Sequence, residues 1–308
     1  MGAKPKLSVE WLSVCSGCEL GIVDLHEKLL TVLDQVELVR LPILMDTKEY
    51  VPADIGILTG SIRTDHDLEA ARKMRESCKL IMGFGTCAVY GGPQGASYAH
   101  TNEELVEAAF VNNPTTTTHF VPTDVPRLLD QTRPVDSEIA VDLYMPGCPP
   151  HAAFIFEGLV SLLKAQDSKS GRQSVCNRCR RVMKKTEVDT IQRSIDREFD
   201  PEICFLSQGC LCFGSVTLDR CLAPCPGNGV PCFSCGGPTT DVILEPQKDV
   251  RSQVALRMAH LTEIPYDDIV HSIEEQAKTH FAYAMASPVF RQKPTFLLKK
   301  WMKTSQSA

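Results

Sequence analysis

The stretch EWLSVCSGCELGI, residues 10–22, runs out of an apolar, strand-like segment into a Cys-x-x-Cys pair and on into a helical pattern. A strand, a short loop and a helix in that order open an α/β unit. Cys15 and Cys18 fall in its first loop, where they fit a dithiol switch, a zinc clasp or one half of an iron–sulfur site.

Four further runs of strand length extend the pattern: residues 36–44 (VELVRLPIL), 54–60 (DIGILTG), 78–83 (CKLIMG) and 141–145 (VDLYM), after a first run at 6–12 (KLSVEWL). Helical spacing lies between them. Leu20, Val23, Leu29, Leu30 and Leu33 predict a helix over 19–34, and a charged helix is expected over 65–77 with Thr64 as its N-cap. The alternation predicts an open parallel α/β sheet, in which ligands gather at the carboxyl ends of the strands. Cys87, in GFGTCAVYGG, follows the fourth run, and Cys148, in MPGCPP, follows the fifth. In a parallel sheet these thiols share one rim with Cys15 and Cys18, a set suited to zinc or to a [4Fe–4S] cluster.

The glycines around them favour the bulkier group. Gly17, Gly83, Gly85, Gly91, Gly92 and Gly147 are expected to let the backbone approach closely and aim N–H groups at sulfur. Pro150 is expected in the first turn of a helix running to 165. A thioredoxin-like pair would leave Cys87 and Cys148 unused. GFGTCA loosely fits a dinucleotide-binding loop, but Glu103 and Glu104 lie in a helix-like run rather than at a strand end.

Composition changes at DSKSGRQS, residues 167–174, which reads as a linker, so the chain divides into domains at 1–168 and 169–308. Residues 176–235 hold nine of the fourteen cysteines, at 176, 179, 204, 210, 212, 221, 225, 232 and 235. Such a segment is not expected to build a conventional core from its own apolar residues, and bound metal is expected to organise it. Two zinc ribbons and two cubanes fit the spacing equally. Residues 252–286 suggest one or two helices.

A net charge of −6 argues against a general nucleic-acid binder. MGAKPKLSVEWL has neither an apolar h-region nor a cleavage site, so a cytoplasmic location is expected, where structural disulfides are disfavoured and metal ligation best explains the cysteines. No apolar window of about 18 residues offers a membrane span. FLLKKWMK, residues 296–303, reads as a solvated amphipathic tail.

Taken together, WLSVCSGCELGIVDLHEKLL (11–30), PILMDTKEY (42–50), GTCAVYGG (85–92), PGCPP (146–150), CNRC (176–179), QGCLCFGSVTLDRC (208–221) and PCFSCGGPT (231–239) resemble the small, electron-transferring subunit of [NiFe] hydrogenases. The resemblance is to the cytoplasmic type of the methyl-viologen-reducing enzymes, which associate with heterodisulfide reductase, and it covers nearly the whole chain. It implies a flavodoxin-like domain followed by an irregular cysteine-rich iron–sulfur domain. Cys15, Cys18, Cys87 and Cys148 would hold a proximal [4Fe–4S] cluster facing the [NiFe] centre of a separate large subunit. Cys176, Cys179, Cys204 and Cys212 look like the distal set, and Cys221, Cys232 and Cys235 like the medial set.

Many members have His at the position of Cys176 and a three-iron medial cluster. Here a thiolate replaces the imidazole, which should lower the potential, and Cys225 is a candidate fourth medial ligand. Three [4Fe–4S] clusters are expected, with a [3Fe–4S] medial group as the alternative. Twelve thiols for three cubanes leave Cys78, expected to fill core, and Cys210, set aside because the run from Cys212 to Cys221 matches the family spacing. Glu19 could relay protons, though a helix-start carboxylate serving the dipole is the simpler account, and His151 reads as a surface or cap residue. The resemblance implies an oxidoreductase subunit that passes electrons from H2 oxidation to an iron–sulfur or flavin acceptor, such as heterodisulfide reductase or a related bifurcating complex. Two rivals remain: a complex I-type 20 kDa cluster subunit, which would lack the cysteine-rich second half, and a zinc-stapled interaction protein.

Overall fold

The computed structural model describes residues 3–164, 173–245, 248–276 and 282–287. Most of the expected linker, the domain boundary within it and the FLLKKWMK segment lie outside the described residues.

The first half runs β1 (Lys6–Trp11), α1 (Gly17–Val23), α2 (Glu27–Leu33), β2 (Glu37–Arg40), β3 (Ala53–Thr59), β4 (Ile62–Thr64), α3 (Asp65–Ser77), β5 (Cys78–Phe84), α4 (Gly85–Tyr90), α5 (Asn102–Val106), β6 (Leu128–Arg133), β7 (Leu143–Met145) and α6 (Ala152–Leu163). Five strands form one parallel sheet in the order β2-β1-β3-β5-β7. This is the flavodoxin-like order, whose direction reverses between β1 and β3. Consecutive residues point to opposite faces: Ile57 and Met82 pack under α1 and α6, whereas Leu58 and Ile81 pack under α3. Both faces are covered, which is why the strands read as continuous apolar runs.

Thr64 caps α3 as expected. Its hydroxyl accepts from the Asp67 amide at 3.1 Å, while Asp67 Oδ2 accepts from the Thr64 amide at 2.7 Å. Thr64→Ala should therefore cost about 1 kcal/mol, read as a shift of the urea midpoint at constant slope.

Several boundaries differ from expectation. The helix over 19–34 is two helices, broken at His26, whose φ is 51°; the break turns Leu25 into the core. β2 stops at Arg40 because Pro42 has no N–H for the ladder. Pro150 precedes the cap of α6 rather than occupying its first turn, since His151 is the N-cap. An antiparallel pair, β4 with β6, went unforeseen. Tyr50, at the end of PILMDTKEY, donates its hydroxyl to Glu10 on β1 at 2.6 Å, and Arg40 pairs with the same buried carboxylate.

The second half comprises α7 (Val175–Arg178), α8 (Pro224–Gly227), α9 (Thr240–Leu244), α10 (Val250–Leu261) and α11 (Tyr266–Glu275), joined by long irregular segments. Its apolar core is not built by residues 176–235 alone: Phe205, Leu206, Phe213 and Val216 close against Val254, Met258, Ile269 and Ile273. α10 and α11 supply the wall that residues 176–235 lack. Val89 and Tyr90 of α4 enter the same core, so the two halves are packed together.

Candidate metal centres

The loop after β1 and the first turn of α1 bring Cys15 and Cys18, the first turn of α4 brings Cys87, and the loop after β7 brings Cys148 to the carboxyl rim of β1, β5 and β7. The four thiols sense one another. Burial, then Glu19, then Cys87, Cys148 and Cys15 push the Cys18 thiol far up. Burial and then Cys148 and Cys15 push Cys87 up to about 12, and burial and then Cys15 push Cys148 up to about 11. Thiols so placed resist ionising together without a cation, which is what a metal centre supplies.

Three of the six glycines face sulfur. A Cβ at Gly85 would lie 2.3 Å from Cys18 Sγ, one at Gly92 2.3 Å from Cys87 Sγ, and one at Gly17 3.4 Å from Cys15 Sγ. The others serve elsewhere: Gly83 faces Val141 and Val89, Gly91 faces Ala286, and Gly147 faces Pro150.

A second group joins Cys176, Cys179, Cys204 and Cys212. Burial and then Cys212 and Cys204 push Cys176 up to about 12, while the Arg257 guanidinium pulls it down. Cys212 stands at about 11, raised by burial and lowered by the amides of Cys232 and Gly214; Cys204, also raised by burial, receives the amides of Leu206 and Ser207. Amides directed at sulfur favour the thiolate and tune bound metal.

The third group is Cys221, Cys225, Cys232 and Cys235. Burial and then Cys221, Cys148 and Cys225 push Cys235 up to about 12; Cys232 is raised by burial and then by Cys212 and Cys235. Cys225 thus stands beside both Cys221 and Cys235. The groups adjoin. Cys148 senses Cys235 across the first junction, and the Cys232 amide donates to Cys212 Sγ at 3.3 Å across the second. Among the described residues, no three His, Cys, Asp or Glu side chains close on a single ion.

Cys78 is buried beneath α3, in the core as expected. Cys210 has Cys212 as its neighbouring thiol, donates to the Leu211 carbonyl at 3.8 Å and lines a separate pocket with Gln192 and Phe233. His151 caps α6, its Nδ1 accepting from the Ala153 amide at 3.1 Å.

Other residues went unseen in the sequence. Thr86 ties two groups together: its hydroxyl donates to the Cys235 carbonyl at 2.7 Å and accepts from the Gly147 amide at 2.9 Å. Its only signal was its place beside Cys87. Tyr283 stands between the first and third groups, its hydroxyl pushed up to about 12 by burial and then by Cys148, Cys235, Cys87 and Cys225. Glu19 does more than serve a helix dipole: it is 0% exposed, one oxygen accepts from the Thr59 hydroxyl, and the other has no protein partner among the described residues.

Residues 15–162 match the family described as NADH ubiquinone oxidoreductase, 20 Kd subunit. A subunit of the vhu F420-non-reducing hydrogenase of Methanococcus voltae is 36% identical over 79% of this chain and 85% of its own length. Its counterpart in the F420-non-reducing hydrogenase of Methanothermobacter marburgensis is 37% identical over 79% of this chain and 81% of its own length. A chain of the NAD+-reducing [NiFe]-hydrogenase in the H2-reduced state superposes with a TM-score of 0.51 at 29% identity, covering 53% of this chain and 93% of that one. A chain of the [NiFeSe] hydrogenase of Desulfovibrio vulgaris Hildenborough shares the fold, with a TM-score of 0.50 at 16% identity over 78% of this chain and 95% of that one.

A flavodoxin-like sheet with thiols on its rim, in a chain whose relatives are hydrogenase subunits, places the protein among the electron-transferring subunits of hydrogenases, which are oxidoreductases. The chain belongs to the family of [NiFe] hydrogenase small, iron–sulfur subunits that includes those of the F420-non-reducing hydrogenases. The complex I-type match ends at residue 162, before the cysteine-rich half. No helix among the described residues is long and apolar enough to cross a membrane.

Proposed function

We propose that this chain carries electrons singly from its large subunit past Cys15, Cys18, Cys87 and Cys148, then Cys221, Cys225, Cys232 and Cys235, then Cys176, Cys179, Cys204 and Cys212, to a cytoplasmic acceptor protein. Those twelve thiols would hold three [4Fe–4S] clusters. The observation that carries this reading is the continuity of the thiol groups, through Cys148 and Cys235 at one junction and Cys232 and Cys212 at the other. Iron–sulfur clusters, when bound, supply one-electron carriers whose potentials follow hydrogen bonding, charge and burial.

The protein's own residues set those conditions. Thr86 fixes the spacing of the first junction, the Cys232 amide fixes the second, and Arg257 places a positive charge beside Cys176 and Cys204. Cys225, beside Cys221 and Cys235, supports a four-iron rather than a three-iron middle group. Heterodisulfide reductase, or another iron–sulfur or flavin protein, is the class of acceptor proposed.

Anaerobic co-purification with the large subunit tests this. After subtraction of the large subunit's metal, about twelve irons per chain with matching labile sulfide are expected, and about eleven would mean a three-iron middle site. Zinc in place of iron would overturn the proposal.

A further inference from the structure

Residues 217–220, which run into Cys221, hydrogen-bond to the flank of every thiol group. On the side of the second group, the Val175 amide, next to Cys176, donates to the Thr217 carbonyl at 2.9 Å, and the Asp219 amide donates to the Gln173 carbonyl at 2.8 Å. On the side of the third, the Leu218 amide donates to the Gly237 carbonyl, just past Cys235, at 2.9 Å. On the side of the first, the His151 amide, in the loop that carries Cys148, donates to the Arg220 carbonyl at 2.7 Å. Asp219 is thus held where the three groups meet. Its side chain is buried, at 3% exposure. One oxygen accepts from Arg178 Nε at 2.6 Å; the other, Oδ1, is buried with no protein partner among the described residues.

Joining α7 to this segment does not require the ion pair. The backbone bonds at Val175 and Asp219 and the bridge between Ser174 and Leu218 already do so. A buried carboxylate with an orphaned oxygen costs stability instead, because a half-satisfied charge loses more hydration than one partner returns. What the carboxylate adds is its charge, and the two charges of the pair belong to different groups. Asp219 stands two residues before Cys221, so their Cα atoms lie within about 7 Å, whereas Arg178 is carried on α7 between Cys176 and Cys179. A negative charge beside an iron–sulfur site disfavours its reduction. We propose that Asp219 is a positioning residue that acts through its charge: it holds the third group at low potential, so that an electron there passes readily to the second group, on whose side Arg178 offsets the carboxylate. The proposal rests on the electron-transfer reading above. In that step one electron leaves the third group as one enters the second, with no bond made or broken and no proton moved.

The test is an anaerobic potentiometric titration, followed by electron paramagnetic resonance, of the heterodimer of this chain with its large subunit, unmodified and as Asp219→Asn and Arg178→Gln. Asn keeps the shape of the buried side chain and can still accept from Arg178. In Asp219→Asn one transition should move upward, its reduced-to-oxidised ratio at a fixed potential rising about 10-fold, which is about 59 mV for a one-electron couple. Arg178→Gln should move the same transition downward, and by less, because the guanidinium is half-exposed and screened. Both variants weaken one ion pair, so a purely structural tie would move the transition the same way in each or not at all. Either of those results, with the iron content unchanged, would overturn the charge role of Asp219 while leaving the electron-transfer reading intact. Should Asp219→Asn lose iron, Arg178→Gln decides: the downward shift supports the proposal and an unmoved transition overturns it. An unmodified heterodimer whose small subunit holds zinc and no iron would overturn the electron-transfer reading and this inference with it.

Discussion

Cys212→Ala should release about four irons per chain and lower H2-driven reduction of a protein acceptor by more than about 100-fold, since even the outer partners of metal ligands are worth 10–100-fold. Cys210→Ala should do neither. The two cysteines are separated by one residue, so spacing alone does not choose between them. Their surroundings do. Cys212 lies among Cys176, Cys204 and Cys179, and the amides of Cys232 and Gly214 are directed at its sulfur. Cys210 donates to the Leu211 carbonyl and lines a pocket with Gln192 and Phe233, with Cys212 the one thiol beside it among the described residues. Iron analysis beside far-UV circular dichroism separates ligand loss from unfolding. Retained iron in the Cys212 variant, with loss in the Cys210 variant, would reverse the assignment.

The parts of the molecule that repeat with a fixed period were legible in the sequence. The central strands of the main sheet read as apolar runs because a parallel sheet is buried on both faces there, and the shared rim of Cys15, Cys18, Cys87 and Cys148 followed from the parallel alternation of strands and helices. Thr64 was visible because a capping box is a local device. What escaped depends on partners distant in the chain. Glu19 is buried because Thr59, at the end of β3, reaches its carboxylate; nothing within a turn of Glu19 announces that. The core of the second half escaped for the same reason, since its apolar wall comes from α10 and α11. Gly83, Gly91 and Gly147 sit near cysteines in sequence, yet their open sides face Val141, Ala286 and Pro150, because proximity along a chain does not fix the direction of a missing Cβ.

Gly85 makes that last distinction testable. Gly85→Ala leaves every cysteine in place, yet it should lose the four irons assigned to the first thiol group and cut H2-driven dye reduction by more than about 100-fold. Two effects act at this position. The backbone φ is +85°, a conformation that costs a residue with a side chain about 1–3 kcal/mol. That is small beside the 5–15 kcal/mol stability of an ordinary domain, so the chain should still fold. The second effect is local: the new methyl would sit 2.3 Å from Cys18 Sγ. Carbon contacts settle near 3.5–4.0 Å, so the sulfur must retreat by about 1 Å or more, whereas metal–ligand distances tolerate only about 0.2 Å. Retreat is blocked, because Cys18 is buried at 5% exposure among Ile22, Phe84 and Ile155. Gly83→Ala is the control: two residues earlier, its Cβ would meet Val141 at 3.6 Å and Val89 at 3.8 Å, ordinary contacts, and iron content and dye reduction should not change. If the Gly85 variant keeps its full iron and its rate, Cys18 is not held where a rim cluster needs it, and the first thiol group is not the entry point for electrons.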